Sequence, residues 1–193
     1  MTPLRTQLRQ YLPCNAQEAT DRQLMLQALD TFNDCLSREN PFGHFTASAW
    51  IVNPARDQVL MVYHNIYDAW SWTGGHADGE SDLLSVACRE AMEETGLTQV
   101  RPLSDGIFSL ELLGVNGHTK RGQYISSHVH WNVTYLLEAD DTAAIRQNPD
   151  ENRDVAWFPL DAAVSASSEP WMRGIYQKLN EKLRSASYPA NFL

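Results

Sequence analysis

Cysteine is scarce in this chain. Cys14, Cys35 and Cys88 are an odd, widely spaced set among 193 residues, with no CxxC pair, which argues against a disulfide framework or a zinc knuckle. A reducing cytoplasm is the expected compartment. Basic charge is also short, with 15 Lys and Arg against 24 Asp and Glu and a formal charge of -9, so binding a long polyanion by phosphate neutralisation is a poor fit. No apolar run approaches the roughly 18 residues of a membrane span, and Met1 to Gln7 is polar with no cleavable apolar leader. A soluble, untargeted protein is expected. Internal repeats, low-complexity tracts and long Gly/Ser linkers are absent too. What remains, 43% hydrophobic and 20% charged, suits one globular domain or a core with a small extension. The acidity does not exclude a small phosphorylated ligand, because a divalent cation held by carboxylates supplies the positive charge that the protein lacks.

Residues 17–36 carry Leu24, Met25, Ala28, Leu29, Phe32 and Leu36 at steps of three and four, which predicts a helix closed by Asn40-Pro41 and Gly43. The run Phe45 to Val52 predicts a strand, Asn53 to Asp57 a turn, and Gln58 to Tyr63 a second strand, together a hairpin. A segment with Gly74, Gly75 and Gly79 leads into a helix from about Asp82 to Thr95, stopped by Gly96. Tyr124 to Leu137 alternates, with Val129, Trp131, Val133, Tyr135 and Leu137 on a core face and His128, His130, Asn132 and Thr134 on a polar one. Val155 to Phe158 reads as a short strand. Trp171, Ile175, Leu179 and Leu183 space a last helix introduced by Ser168-Glu169-Pro170. Strands and helices interleave, so the class is α/β or α+β with a mixed sheet.

Chemistry concentrates in the helix after the glycine loop. In Arg89-Glu90-Ala91-Met92-Glu93-Glu94-Thr95-Gly96-Leu97, Glu90 and Glu94 stand one turn apart with Glu93 between them. Like charges at that spacing repel, and a hard cation such as Mg²⁺ turns the repulsion into a site by taking oxygen ligands. Leu84, Cys88, Ala91 and Thr95 form a small, apolar stripe expected to pack on a sheet. Glycines in Gly74 to Ser81 let backbone turn sharply or approach a ligand, and a carbonyl there is a candidate ligand. These features predict metal-assisted phosphoryl chemistry.

Residues 75–97 resemble the signature of the Nudix hydrolases, G-x5-E-x7-R-E-U-x-E-E-x-G-U with U aliphatic. Gly75, Arg89, Glu90, Glu93, Glu94, Gly96 and Leu97 match, with Ala91 as a small member of the aliphatic position. The first glutamate falls on Ser81, and Glu80 comes one residue early, while thirteen residues still separate Gly75 from Arg89. Thr73 stands where many relatives have proline. The resemblance covers roughly 120 residues, from about Phe42 to Ala163. It implies a Nudix fold, a mixed β-sheet sandwiched between helices, with N- and C-terminal helices added. The expected division is a helical extension over 1–40, a candidate dimer or lid element, and a Nudix domain over 41–193 that includes the last helix.

What the resemblance implies is water attack on a diphosphate linked to another moiety, assisted by Mg²⁺ or Mn²⁺. Carried over by position, Glu90, Glu93 and Glu94 are metal ligands, with the Gly75 carbonyl as another candidate, and Arg89 holds the carboxylates and the loop. Glu93 is the first choice of general base. Glu151 is the alternative, although a solvated loop acid is its simpler reading, and Glu80 is the candidate for the displaced acid's role. The expected enzyme is a pyrophosphohydrolase acting on a nucleoside-diphosphate-linked or related small molecule. The rival is a ligand-sensing protein on the same fold with hydrolysis weakened, for which Ser81 is the motive.

Other residues carry weaker signals. Tyr63, Tyr67, Trp70 and Trp72 could stack on a nucleobase or serve as core. Lys120 and Arg121 could grip phosphates or simply be solvated. His128 and His130 point the same way from a strand and could hold a metal, but no third nitrogen or sulfur ligand is near in sequence, which favours a polar cavity. Cys88 reads as packing.

Overall fold

The computed structural model describes residues 3–120 and 122–185. Helices α1 (Pro3–Gln10) and α2 (Ala16–Thr31) precede strands β1 (Gly43–Val52), β2 (Gln58–His64), β3 (Ala69–Ser71) and β4 (Thr73–His76). After α3 (Leu83–Thr95) come β5 (Arg101–Pro102), β6 (Ser109–Val115), β7 (His118–Lys120), β8 (Gln123–Ile125), β9 (His128–Glu138) and β10 (Asn152–Pro159). Helices α4 (Leu160–Ala166) and α5 (Pro170–Ser185) follow. The class is α+β, as the interleaving predicts. Among the described residues no helix is long and apolar enough to cross a membrane. Of the two loop cations, Arg121 lies outside the described residues and Lys120 ends β7.

The chain packs as two units, the first drawn from Met1–Ser48, Gly74–Ala87 and Asp105–Tyr135, the second from Ala49–Thr73, Cys88–Ser104 and Leu136–Leu193. In the first, β6 pairs antiparallel with β9 from Ser109↔Thr134 to Val115↔His128. The early part of β1 lies between β9 and β4. β4 runs so close that a Cβ on Gly74 would stand 2.5 Å from Ser48 Oγ and 2.6 Å from the Ala47 carbonyl, so glycine is required there. β7 and β8 form a separate two-stranded ribbon. Helix α2 meets β6 through polar side chains: Gln17 Nε2 donates to the Leu110 carbonyl at 2.8 Å, and Asp21 Oδ2 accepts from Leu112 N at 2.9 Å.

Two expectations change in this unit. The helix expected over 17–36 ends at Thr31, and Phe32 turns extended. There its ring stacks on Phe42 and Trp131, at 5.7 and 5.9 Å between centroids, a contact that continuing the helix would forfeit. The single strand expected over 124–137 divides into β8 and β9, and both faces of β9 are buried from Trp131 onward. Its polar face is enclosed because Asn132 and Thr134 find partners there: both donate to Glu111 Oε2, at 3.1 and 2.8 Å.

The second unit holds the predicted hairpin. Ile51 pairs with Leu60 and Val52 with Val59, around a turn in which Asn53 Oδ1 accepts from the backbone of Asp57 and Gln58, each at 3.1 Å. Strand order within it is β10-β2-β1-β9-β5, with β3 also on β2. Trp50 stacks on Tyr176 of α5 at 5.2 Å, and Ile175, Leu179 and Leu183 are buried with it. Trp171, expected on that buried stripe, is 68% exposed. It sits in the first turn, just after Pro170, before the helix has engaged the core.

Candidate active site

Helix α3 is set locally at both ends. Asp82 caps its start, Oδ1 accepting from Ser85 N at 3.3 Å and Oδ2 from Ser85 Oγ at 2.8 Å. Gly96 ends it with φ +69°, its N–H bonded to the Met92 carbonyl at 2.9 Å. A Cβ on Gly96 would also meet Arg146 Cβ at 2.9 Å. The buried face is Leu83, Val86, Ala87, Ala91, Glu94 and Thr95. Leu84 and Cys88, expected on it, are only half-buried, because the helix turns Leu83, Val86 and Ala87 inward instead.

That rotation separates the three helix carboxylates. Glu94 is 4% exposed, and the Glu90 side chain retains 17% of its surface. Glu93 points outward, where with Gly96, Arg146, Gln147, Asn148 and Pro149 it lines a cleft of about 660 Å³. A third acid joins Glu90 and Glu94 from a distant loop: one oxygen each of Glu90, Glu94 and Glu151 lies within 4.8 Å of the other two. Asn152 brings it there. Its Nδ2 donates to the Glu94 carbonyl at 2.9 Å, and its Oδ1 accepts from Asn148 N at 3.1 Å, tying the 148–152 turn to the end of α3. The sequence reading missed Asn152; its position directly after the acid in Asp150-Glu151-Asn152 was the available signal.

Concentrating three carboxylates, one of them buried, is costly unless a cation or proton compensates. Oxygen ligands at this spacing fit a hard divalent ion such as Mg²⁺ or Mn²⁺. Arg89 approaches Glu90 Oε1 at 3.9 Å through Nη2, a long contact that complements charge without a hydrogen bond.

Gly75, Glu80 and Ser81 belong to the first unit. Gly75 lies in β4, and Glu80 and Ser81 are partly exposed in the loop that follows. Arg38 pins that loop by a two-point contact with Asp78, Nε to Oδ1 at 2.7 Å and Nη2 to Oδ2 at 2.5 Å. The Gly79 N–H donates to the Leu36 carbonyl at 2.8 Å. Asp78 itself is held below the usual carboxylate range, chiefly by its hydrogen bonds from Arg38.

Of the four aromatics, Trp72 is buried and packs edge-on against Tyr176 at 5.6 Å. Trp70 stands edge-on to both Tyr63 and Phe158, at 5.4 and 4.8 Å. Tyr63 lies under the Arg153 guanidinium, 4.2 Å from its ring centre. Tyr67 is 49% exposed and is the ring best presented for stacking on a ligand.

Residues 43–179 match the family model of the NUDIX domain. The CMP-5'-(N-acetyl-N-hydroxy-3-aminopropyl)phosphonate hydrolase of Streptomyces rubellomurinus is 29% identical over 124 residues, 61% of this chain and 53% of that protein. An m7GpppN-mRNA hydrolase of Homo sapiens is 31% identical over 121 residues, 58% of this chain and 35% of that protein. The matched stretches thus span about half and about a third of these curated relatives. The E. coli dihydroneopterin triphosphate pyrophosphohydrolase has the same fold, with a TM-score of 0.55 at 15% identity, covering 74% of this chain and 96% of that one.

Proposed function

The chain belongs to the NUDIX domain family, and from that premise we propose that it is a Mg²⁺- or Mn²⁺-dependent pyrophosphohydrolase. Its substrate in this reading is a small nucleoside-diphosphate-linked or related organic pyrophosphate. The observation that carries the reading is the approach of Glu90, Glu94 and Glu151 oxygens to within 4.8 Å of one another. The printed names of the two curated relatives, hydrolases of a CMP-linked phosphonate and of a capped RNA end, support a nucleotide-linked substrate.

Glu90, Glu94 and Glu151 would hold the cation, whose chemistry there would be to polarise phosphoryl oxygens and make water a better nucleophile. Glu93, exposed on the cleft, takes the proton as water oxygen bonds to one phosphorus and the bridging P–O bond breaks. Arg89 orients the helix carboxylates, and Glu80 substitutes for the acid displaced at Ser81. In this reading residues 41–193 carry the chemistry and 1–40 form a helical extension.

The test is a substrate panel: nucleoside triphosphates, oxidised nucleotides, nucleotide sugars, dinucleotides and dinucleoside polyphosphates, each with Mg²⁺ or Mn²⁺. Turnover of one class, reduced about a hundredfold or more in Glu94→Gln with the fold retained, is the expected result. A silent panel accompanied by a ligand-induced rise in melting temperature would replace this reading with the sensing protein that Ser81 suggests.

A further inference from the structure

Four of the chain's six histidines converge within the first packing unit. His44 lies near the start of β1, His76 ends β4, and His128 and His130 share one side of β9. The His44 ring centre is 5.0 Å from those of His76 and His128 and 4.8 Å from that of His130. His76 to His130 is 5.1 Å, and His128 to His130 is 5.2 Å. One ring nitrogen each from His44, His76 and His130 lies within 4.8 Å of the other two. His128 and His130 alone were visible as a pair in sequence; the third and fourth rings arrive from β1 and β4.

Two details set this cluster apart from a packed polar core. His44 is 4% exposed, and neither ring nitrogen makes a hydrogen bond of normal geometry, although the Asn40 backbone is near enough to act on the ring. A buried polar group left in that state is costly, and a side chain serving packing alone would be apolar there. The second detail is the pair of facing nitrogens, His128 Nε2 and His130 Nε2, 3.3 Å apart. That is the edge of a tetrahedron whose centre lies about 2.0 Å from each corner, the length of a zinc–nitrogen bond. The carbonyl of Ser126 lies 2.9 Å from His128 Nδ1, which makes Nδ1 the donor and turns the Nε2 lone pair toward the other rings. Arg38, the cation whose charge bears on His44 and His130, is paired with Asp78.

We propose that His44, His76 and His130, with His128 beside His130 at the edge of the cluster, form a binding site for a borderline transition-metal ion, Zn²⁺ foremost. Imidazole nitrogen suits Zn²⁺ and its neighbours in the series and is a poor ligand for Mg²⁺, so this site and the carboxylate cluster select different ions. The ion cross-links β1, β4 and β9. Because His76 directly follows Gly75, it also fixes the end of β4 from which the glycine loop departs.

The experiment uses the full chain with a purification tag free of histidine, stripped by chelator and titrated with Zn²⁺ in millimolar Mg²⁺. Calorimetry gives stoichiometry, and the visible absorption of a Co²⁺ substitute reports tetrahedral nitrogen ligation. The expected result is about one Zn²⁺ per chain, unaffected by Mg²⁺, with affinity reduced at least about tenfold in the His128→Gln/His130→Gln double variant. His44→Phe keeps the buried position filled while removing a ligand, and a similar loss is expected from it. Glu90→Gln/Glu94→Gln retains Zn²⁺. Failure of the wild-type chain to bind Zn²⁺, or loss of Zn²⁺ with the glutamate pair rather than with the histidines, overturns the proposal.

Discussion

Asn152 is fully buried, and both ends of its amide are engaged, Nδ2 by the Glu94 carbonyl and Oδ1 by Asn148 N. Alanine there leaves a carbonyl and an N–H without those partners in a place from which water is largely excluded, at a cost of about 1–3 kcal/mol. The same change frees the turn that carries Glu151. Asn152→Ala is therefore expected to lower urea-denaturation stability by that amount and to reduce kcat by about tenfold or more, with the fold retained at assay temperature. Stability lost with kcat unchanged would show that Glu151 does not depend on this anchor. The substitution thus separates the cost of a stranded carbonyl from the value of a positioned acid.

At the level of whole elements, α2, β1, β6 and β9 are joined by a buried polar network as well as by apolar contact. Glu18 and Glu111 are 0% and 1% exposed, and Ser109 Oγ lies between them, 2.9 Å from Glu18 Oε1 and 2.5 Å from Glu111 Oε1. A hydroxyl has one hydrogen, so Ser109 donates to one of the two carboxylates at a time. Tyr11 OH donates to Glu18 at 2.7 Å, and Asn132 and Thr134 both donate to Glu111. A glutamine at 111 supplies an acceptor for Asn132 and Thr134 and a donor for Ser109. Glu111→Gln is expected to stay within about 1 kcal/mol of the parent, and Glu111→Leu to lose about 3 kcal/mol or more, as chemical denaturation would measure. Equal losses in both variants would show that the charge of the carboxylate, and not only its hydrogen bonds, is required. The network also explains what was legible in the sequence. The β1–β2 hairpin and α3 were readable because Asn53 and Gly96 act on their own neighbours. Helix α2 differs from its apolar period because Leu24 is 43% exposed while Glu18 faces inward, and no apolar period can announce a buried acid one of whose partners, Ser109, lies some ninety residues away. That Glu151 meets Glu90 and Glu94, and that His44 and His76 join His128 and His130, was hidden for the same reason. Their partners meet through strand order, which spacing along the chain does not contain.

For the molecule as a whole, 24 acidic against 15 basic residues leave a net charge of -9, and the cluster of Glu90, Glu94 and Glu151 adds a local field of the same sign. In the proposed reading, a pyrophosphate substrate approaches against that field. Each like-charge pair at about 20 Å costs roughly 0.2 kcal/mol in water. The Debye length falls from about 30 Å at 0.01 M salt to about 8 Å at 0.15 M, so added salt removes most of the repulsion at encounter. With the divalent cation kept saturating, kcat/KM for the best substrate of the panel is expected to rise roughly threefold over that range. A basic funnel would give the opposite trend, with salt weakening the attraction that gathers substrate. A steep fall in kcat/KM with salt would therefore show that local cations, not the net charge of the chain, govern how substrate reaches the site. A fall in KM with kcat unchanged would place the electrostatic effect in encounter and leave a carboxylate-held cation to supply the attraction at close range.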